Sequence, residues 1–273
     1  MNRFCLFLLP CALSIPTVSL ADDTSVAMEE NRLPGHRAVY ELTLGETRNT
    51  SGIMGAEGRY VFDLEDVCEG YTLNERLVVR LARDGGTVLT DYRLSAYEAE
   101  DGHLYRFSTE TEFNGTTGQS ASGNLSIDGE VSEVDYETAD DVSFDEEVLP
   151  PLAHIRAIVD AAMAGEDRYA ATVFDGDVEK PVFYAVTRIT PAGDVEPPEK
   201  LDGVEHLKDR DHWRIDSVYF PPGDTGDAAS SIPEFRFTAI LYDNGIVTDL
   251  VLDYLDFSLK AELAELDVHE SGC

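Results

Sequence analysis

Apolar and polar residues alternate along most of this chain, and glycine-containing turns interrupt the alternation at short intervals. One set of alternating residues comprises Tyr71, Leu73, Glu75, Leu77, Val79 and Leu81. Successive side chains of a β-strand point to opposite faces, so this period of two predicts a strand. Asn114-Gly115 and Asp128-Gly129 are typical of tight hairpin turns. The chain is therefore expected to fold as a meander of antiparallel strands.

The same alternation places the other strands. It predicts strands at 37–44, 58–65, 71–81, 87–97, 104–113, 116–127, 131–136, 169–174, 182–189, 213–220, 235–242 and 246–257. We interpret the acidic stretch 259–268 as a short helix or an extended tail. Gly52, Gly55 and Gly58 have no G-x-G-x-x-G context and are interpreted as bends or bulges in strands.

One segment has helical spacing instead. Between Pro151 and Gly165, apolar residues recur at 152, 155, 158, 159 and 162, which predicts an amphipathic helix. The prolines at its start and the glycine at its end are typical of helix boundaries. About a dozen strands must curl, close or be covered to protect their edges. We therefore expect an all-β, strongly curved antiparallel sheet with the helix packed in its concave side. The chain has no internal repeat to favour a propeller.

The N-terminus has the features of an export signal. Arg3 precedes a largely apolar run, and Ser19-Leu20-Ala21 is a small-x-small cleavage site. We predict that residues 1–21 are a signal peptide cleaved after Ala21 and that the protein is periplasmic. A membrane anchor and lipidation of Cys11 are the alternatives, but the apolar run is shorter than the roughly 20 residues that span a bilayer. Residues 22–34 are expected to form a flexible leader, and residues 35–273 a single domain.

Two cysteines, Cys68 and Cys273, remain after cleavage. An even number of cysteines in an oxidising compartment favours a disulfide between them. Two free thiols are the alternative. A zinc site is disfavoured, because no histidine pair lies at the spacing that such sites use.

The chain is strongly acidic. It has 20 basic and 54 acidic residues, and loss of residues 1–21 removes one arginine, so the net charge changes from −34 to −35. This charge disfavours nucleic-acid partners and binding to anionic lipid headgroups. Since 43% of the residues are hydrophobic, the acidity is expected to coat a folded surface rather than to signal disorder. Solubility in a salty medium is one hypothesis for its origin.

The sequence contains no recognisable catalytic or metal-binding motif. HExxH, GxSxG, SxxK and CxxC are absent, and we predict no catalytic residue, no metal site and no cofactor. His206 and His212, with nearby acids, are interpreted as parts of a solvated loop rather than as metal ligands. The acidic run 140–147 lacks the EF-hand pattern and is interpreted as a linker. His154 is interpreted as a partly buried, hydrogen-bonded histidine rather than a base.

Several short segments, in order, resemble a known family. They are 36–44, 51–59, 68–72, Asp101-Gly102, Ala162 to Gly165, Phe174 to Gly176, Asn244-Gly245, 252–257 and the C-terminal cysteine. Together they resemble the EipB-like family, which are cell-envelope integrity proteins of the alphaproteobacterial periplasm. The resemblance implies a β-spiral with a helix packed inside, similar to the fold of periplasmic lipoprotein carriers. It also implies the Cys68–Cys273 disulfide and no assigned catalytic residues.

The leading functional hypothesis is a non-enzymatic monomer that supports the outer membrane. Its concave apolar interior would hold an envelope lipid, a lipoprotein's acyl chain or a peptide at residues that the sequence does not identify. The alternative is a scaffold that docks a periplasmic protein through a sheet edge or an acidic face. A hydrolase with an unrecognised site and a calcium-loaded module are further alternatives. No membrane span is expected after the signal.

Overall fold

Fifteen strands and one α-helix account for most of the described chain. The structure is a computed structural model that describes residues 32–48, 51–198, 201–222 and 232–269. The first eight strands are β1 His36–Thr47, β2 Ile53–Asp66, β3 Gly70–Arg83, β4 Gly86–Ala99, β5 Leu104–Phe113, β6 Thr116–Asp128, β7 Val131–Tyr136 and β8 Val142–Phe144. The others are β9 Val148–Leu149, β10 Arg168–Phe174, β11 Val182–Pro191, β12 His212–Phe220, β13 Phe235–Tyr242, β14 Val247–Asp253 and β15 Phe257–Val268. Helix α1 spans Pro151–Met163.

All fifteen strands form a single sheet that curls into a nearly closed barrel. The strand order is β8-β7-β6-β5-β4-β3-β2-β1-β15-β14-β13-β12-β11-β10-β9. Neighbouring strands pair antiparallel except β9 and β10, which pair in parallel. Because β8 and β9 terminate the two ends of the sheet and lie close in sequence, the barrel has one seam. The expected curled antiparallel sheet with a single helix is confirmed.

Tight turns and the close approach of paired strands explain why glycine occupies several positions. Asn114 and Gly115 both have positive φ, as a two-residue hairpin turn between right-twisted strands requires. Within β2, a Cβ on Gly58 would collide with the carbonyl oxygen of Val78 on the neighbouring strand. The start of β2 also contains a register shift between Ile53 and Gly55. The glycines of this segment are therefore places where strands bend and approach closely.

Helix α1 packs against the inside of the sheet. It ends in a Schellman arrangement, in which the amides of Gly165 and Glu166 donate to Ala162 and Ala161, and Gly165 has φ +79°. The buried helix residues join two apolar clusters. Ile158 and Val159 pack in one cluster with residues of β1 and of β11 to β15, and Leu152 packs in the other with residues of β3 to β7. The helix thus connects both halves of the core.

The stretch 259–268 is a strand, and neither a helix nor a tail. Strand β15 pairs with β1 on one side and β14 on the other, so it lies in the middle of the sheet. Its buried residues are Ser258, Leu259, Ala261, Leu263 and Leu266. A register shift opposite Val39 and Tyr40 inserts one extra residue between Leu263 and Glu265. This bulge interrupts the alternation and, with the acids on the outer face, obscures the strand in the sequence.

Side chains bridge the seam where strand pairing stops. The buried hydroxyl of Ser132 on β7 donates to the carbonyl oxygen of Glu146 and accepts from the amide of Val148 on β9, at 2.9 Å each. The hydroxyl of Thr172 on β10 donates to the Glu146 carboxylate at 2.7 Å. The acidic run expected to be a linker therefore contains β8 and part of the seam.

Among the described residues, no helix combines the length and apolarity needed to cross a bilayer. Core packing begins at Leu33, whose side chain is 4% exposed and whose amide donates to the Tyr71 hydroxyl. The predicted signal peptide, most of the predicted leader and Cys273 lie outside the described residues.

Candidate functional site

An apolar cavity of about 270 Å³ lies between helix α1 and the sheet. The helix contributes Pro151, His154, Ile155 and Ile158. The facing strands contribute Tyr40, Tyr60, Phe62, Ile215, Tyr219, Phe235, Phe237, Leu241, Val247 and Leu250, among others. We call this space the central cavity. Its walls are mainly apolar and aromatic with a few polar groups, which is the usual composition of a small-molecule site.

Two further cavities adjoin the central cavity. The second cavity, about 440 Å³, shares Tyr60, Glu75, Phe237 and Leu250 with it. The third cavity, about 620 Å³, shares Tyr92 and Thr111 with the second and Asp175 with the central cavity. Because each pair shares wall residues, the three spaces adjoin one another, and the third is open to solvent along exposed residues such as Ser120 and Glu179.

Strand register explains why Glu75 faces this interior. Glu75 lies on β3 opposite Phe62 on β2 and Leu94 on β4. It shares the inward face of β3 with Leu73, Leu77 and Val79, since alternate residues share a face. Glu75 lines both the central and the second cavity. Burial raises the pKa of its carboxyl to about 7, and a hydrogen bond from the Tyr60 hydroxyl partly opposes that rise.

Asp175 supplies a second carboxyl. It follows β10, where part of the residue is exposed to solvent, and it lines the central and third cavities. Its surroundings raise its pKa to about 6, mainly through desolvation and then through Asp177 and Glu234, while Lys180 acts in the opposite direction. Lys180 itself pairs with Glu234.

His154 is the histidine that α1 brings to the central cavity. It is 4% exposed, and burial lowers its pKa to about 4, so it is neutral at neutral pH. Its Nε2 has no hydrogen-bond partner among the described residues. The expectation of a buried histidine is met, but the expected hydrogen bonding of this nitrogen is not.

A glutamate from the sheet holds the N-terminus of α1. Pro150 provides no side-chain cap. Instead, Glu98 on β4 accepts the amides of Leu152 at 3.0 Å and Ala153 at 2.7 Å. Arg156 lies 3.5 Å from the same carboxylate. Glu98 is 1% exposed, and burial raises its pKa to about 7 against these three opposing contacts. This anchor sets the position of the helix, and with it the position of His154.

The histidines and acids singled out in the sequence do not form a metal centre in the described part of the chain, where no three candidate ligands come together. His206 lies in an exposed 3-10 turn at Val204–His206. His212 begins β12 and stacks on Tyr242. Ser217, which lines the central cavity, hydrogen-bonds the Thr187 hydroxyl at 2.8 Å.

Cys68 lies in the turn between β2 and β3 with φ +68°. Its pairing with Cys273 stays a prediction, because Cys273 is outside the described residues. The sequence did not identify the cavity residues Glu75 and Asp175. The available signal was Glu75 itself, an acid in the otherwise apolar set of β3.

Comparison with known proteins agrees with this architecture. The EipB-like family model matches residues 27–270. The chain belongs to the EipB-like family. It is 29% identical over 244 residues to the cell envelope integrity protein EipB of Brucella abortus (strain 2308), covering 88% of this chain and 86% of that relative. The predicted family resemblance is confirmed.

A solved structure shares the fold of this EipB-like chain. It is the crystal structure of a beta-barrel-like protein of a domain of unknown function from Brucella abortus. The TM-score is 0.78 at 29% identity, with 88% of this chain and 99% of that chain covered. Neither relative's name describes an enzyme.

Proposed function

We propose that this protein is a non-enzymatic periplasmic factor that supports cell-envelope integrity by holding an apolar chain inside its barrel. The name of its Brucella relative, a cell envelope integrity protein, supports the envelope role. The observation that carries the binding role is the apolar central cavity between α1 and the sheet. Its 270 Å³ is close to the lower end of the roughly 300–1,000 Å³ of small-molecule sites, and two further cavities adjoin it. An acyl chain of an envelope lipid or lipoprotein fits such walls.

The test combines lipid extraction with native mass spectrometry on protein purified from its own periplasm. We expect the mass of an acyl-bearing molecule to be detected together with the protein. Val247→Phe would place a ring in the cavity, since Val247 is half-buried on its wall, and should remove that mass. Val131→Phe is the matched control, because Val131 is 41% exposed at the start of β7.

Circular dichroism and a melting curve establish that both variants fold. An acyl mass that is absent from the wild type, or that persists in Val247→Phe, contradicts the binding role. Co-purification of a stoichiometric protein without lipid would favour the alternative of a scaffold. The short edge strand β8 is flanked by acids at 140, 141 and 145–147, and such charges disfavour pairing with another strand.

A further inference from the structure

Among the described residues, the groups that line the three cavities and can be charged near neutral pH are acids or histidines, without a lysine or an arginine. Two carboxyl groups, Glu75 and Asp175, line them, and Asp177 and Glu179 line the third cavity as well. None of the residues described as lining these cavities is a lysine or an arginine. The two histidines of the central cavity, His36 and His154, both have pKa values lowered by burial. The interior is therefore neutral or negative at neutral pH.

Such an interior discriminates between polar ends of an apolar ligand. A carboxylate or phosphate taken in beside Glu75 would be a buried charge next to a like charge, without a cation to pair with. Burying an unpaired charge is costly. A protonated amine would instead meet a carboxylate, and the resulting charge-assisted hydrogen bond is about twice as strong as a neutral one.

Glu75 has the geometry to accept such a group. It lies where the central and second cavities meet. Of the groups that shift the pKa of Glu75, only the Tyr60 hydroxyl does so through a hydrogen bond. A carboxylate has about four acceptor sites. Acceptor capacity towards the cavity therefore remains.

The aromatic walls add to the same preference. Tyr60 and Tyr40 stack with ring centroids 5.6 Å apart, and Tyr219 and Phe235 stack at 4.2 Å. All four rings line the central cavity. Aromatic faces attract cations, and the attraction grows when the cation is desolvated.

The unpartnered nitrogen of His154 is an independent sign that a polar ligand atom is accommodated here. The ring is 96% buried and lines the central cavity, and its Nε2 lacks a partner among the described residues. Buried polar atoms are nearly always hydrogen-bonded. In the tautomer that carries its proton on Nδ1, Nε2 is an acceptor, and an N–H of a ligand amine that reaches this ring would supply the missing bond.

We propose that the central and second cavities select an amphiphile whose polar end is a protonated amine, over one that ends in a carboxylate or phosphate. This inference rests on the proposed binding of an apolar chain. It narrows the ligand from any acyl-bearing molecule to an amine-bearing amphiphile.

The test uses three probes with the same twelve-carbon chain: dodecylamine, dodecanol and dodecanoate. Each displaces the neutral fluorophore N-phenyl-1-naphthylamine from the delipidated protein. Measurements at about pH 7.5 and about 0.3 M NaCl ionise Glu75 and screen the acidic surface. We expect dodecylamine to bind roughly tenfold more tightly than dodecanol, and dodecanoate to bind most weakly.

Variants locate the effect. Glu75→Gln is nearly isosteric and should remove most of the preference for dodecylamine while leaving dodecanol binding unchanged. Asp175→Asn is a second variant that keeps the test decisive if Glu75→Gln does not fold. Glu133→Gln is the control, because Glu133 is exposed on β7 and lines none of the three cavities.

The outcomes separate the two proposals. If none of the three probes displaces the fluorophore, the proposed function fails. If dodecanol binds but dodecanoate equals or exceeds dodecylamine, the amine selectivity is wrong and the binding role stands. A preference for dodecylamine that survives in both cavity variants, or that Glu133→Gln abolishes, is adsorption to the surface and also overturns the selectivity.

Discussion

At the scale of single residues, Glu98 caps the N-terminus of α1, which is usually done by a residue next to the helix. Helices generally begin with a side chain that accepts a free amide of the first turn. In this protein Pro150 cannot do so, and a glutamate more than fifty positions earlier in the chain accepts two of those amides. The side chain that completes α1 therefore belongs to the sheet, so the helix N-terminus and β4 stabilise each other.

Glu98→Ala should destabilise the protein more than an average acid-to-alanine change. It leaves the buried amide of Leu152 and the partly buried amide of Ala153 without their acceptor and removes the carboxylate beside Arg156, and such losses cost about 2–4 kcal/mol in unfolding free energy. Chemical denaturation of the variant beside Glu133→Ala measures the difference. Equal midpoints for the two variants would show that Glu98 is not an anchor.

Glu75 should make stability depend on pH in an unusual direction for an acid. Its folded pKa is about 7 against a reference of 4.5, so between these values the folded state binds the proton more tightly than the unfolded state. Stability from this group is therefore full below about pH 4.5 and is lost as pH rises to about 7.

The unfolding free energy of the wild type minus that of Glu75→Gln isolates the pH-dependent contribution of Glu75 to stability. It should fall by on the order of 2–3 kcal/mol between about pH 5 and pH 8. Urea titrations across that range measure it, with Glu133→Gln as the control. A difference that stays level or increases with pH would refute the assignment.

At the scale of elements, the seam is where the barrel depends on side chains rather than on strand pairing. Strands β8 and β9 are three and two residues long, so little backbone pairing stabilises them. The Ser132 hydroxyl contacts the backbone on both sides of Glu147 and so holds β9 next to β7. Helix α1 begins at Pro151, shortly after β9. The contacts that hold β9 at the seam therefore also help to position the start of α1.

Ser132→Ala should loosen the seam. It removes one acceptor and one donor at a buried position, which costs about 1–2 kcal/mol, and the Val148 amide loses its partner. Hydrogen exchange at Val148 should accelerate more than exchange in the central strands. Ser126→Ala, at an exposed position on β6, is the control. Unchanged exchange at Val148 would mean that the seam is held by other contacts.

At the scale of the whole molecule, the dominant property is charge. A formal charge of −34 creates self-repulsion that the compact state must overcome. Several arginines of the outer face are paired with acids on neighbouring strands, as in Arg59–Glu41, Arg76–Asp91 and Arg236–Asp216. These pairs offset only a small part of the repulsion, because acids outnumber bases by 54 to 20.

The melting temperature should therefore rise with NaCl. Salt shortens the screening length from about 30 Å at 0.01 M to about 3 Å at 1 M, which weakens repulsion among exposed charges. Scanning calorimetry over this range measures the effect, with sucrose at matched osmolality as a control for effects that are not ionic. A melting temperature independent of salt would rule out charge repulsion as a limit on stability.

The predicted Cys68–Cys273 disulfide would also affect the whole molecule, since it would close a loop that contains most of the domain. Cys68→Ser should lower the unfolding free energy by several kcal/mol, up to about 5 in the chain-entropy estimate for so long a loop. Denaturation with and without a reductant measures this. A wild-type midpoint that a reductant does not change would contradict the bridge.

The sequence by itself determined the local structure. Period-two alternation and turn dipeptides predicted twelve of the strands, and helical spacing between prolines and a glycine predicted α1 at Pro151–Met163. These features depend on neighbours within a few residues, where backbone geometry and side-chain periodicity decide the outcome. The alternation also placed Glu75 in one set with Leu73 and Leu77, but it did not predict the cavity that Glu75 lines.

Only the tertiary structure decided the central place of β15, the capping of α1 by Glu98 and the cavity that Glu75, Asp175 and His154 share. Each joins segments that are far apart in the chain, as when β15 pairs with β1. Such pairings follow from which faces the whole barrel buries, and one extra residue in a bulge shifts every side chain after it. A pattern read along one strand cannot contain that choice, because the free energy that decides it comes from the partner strand.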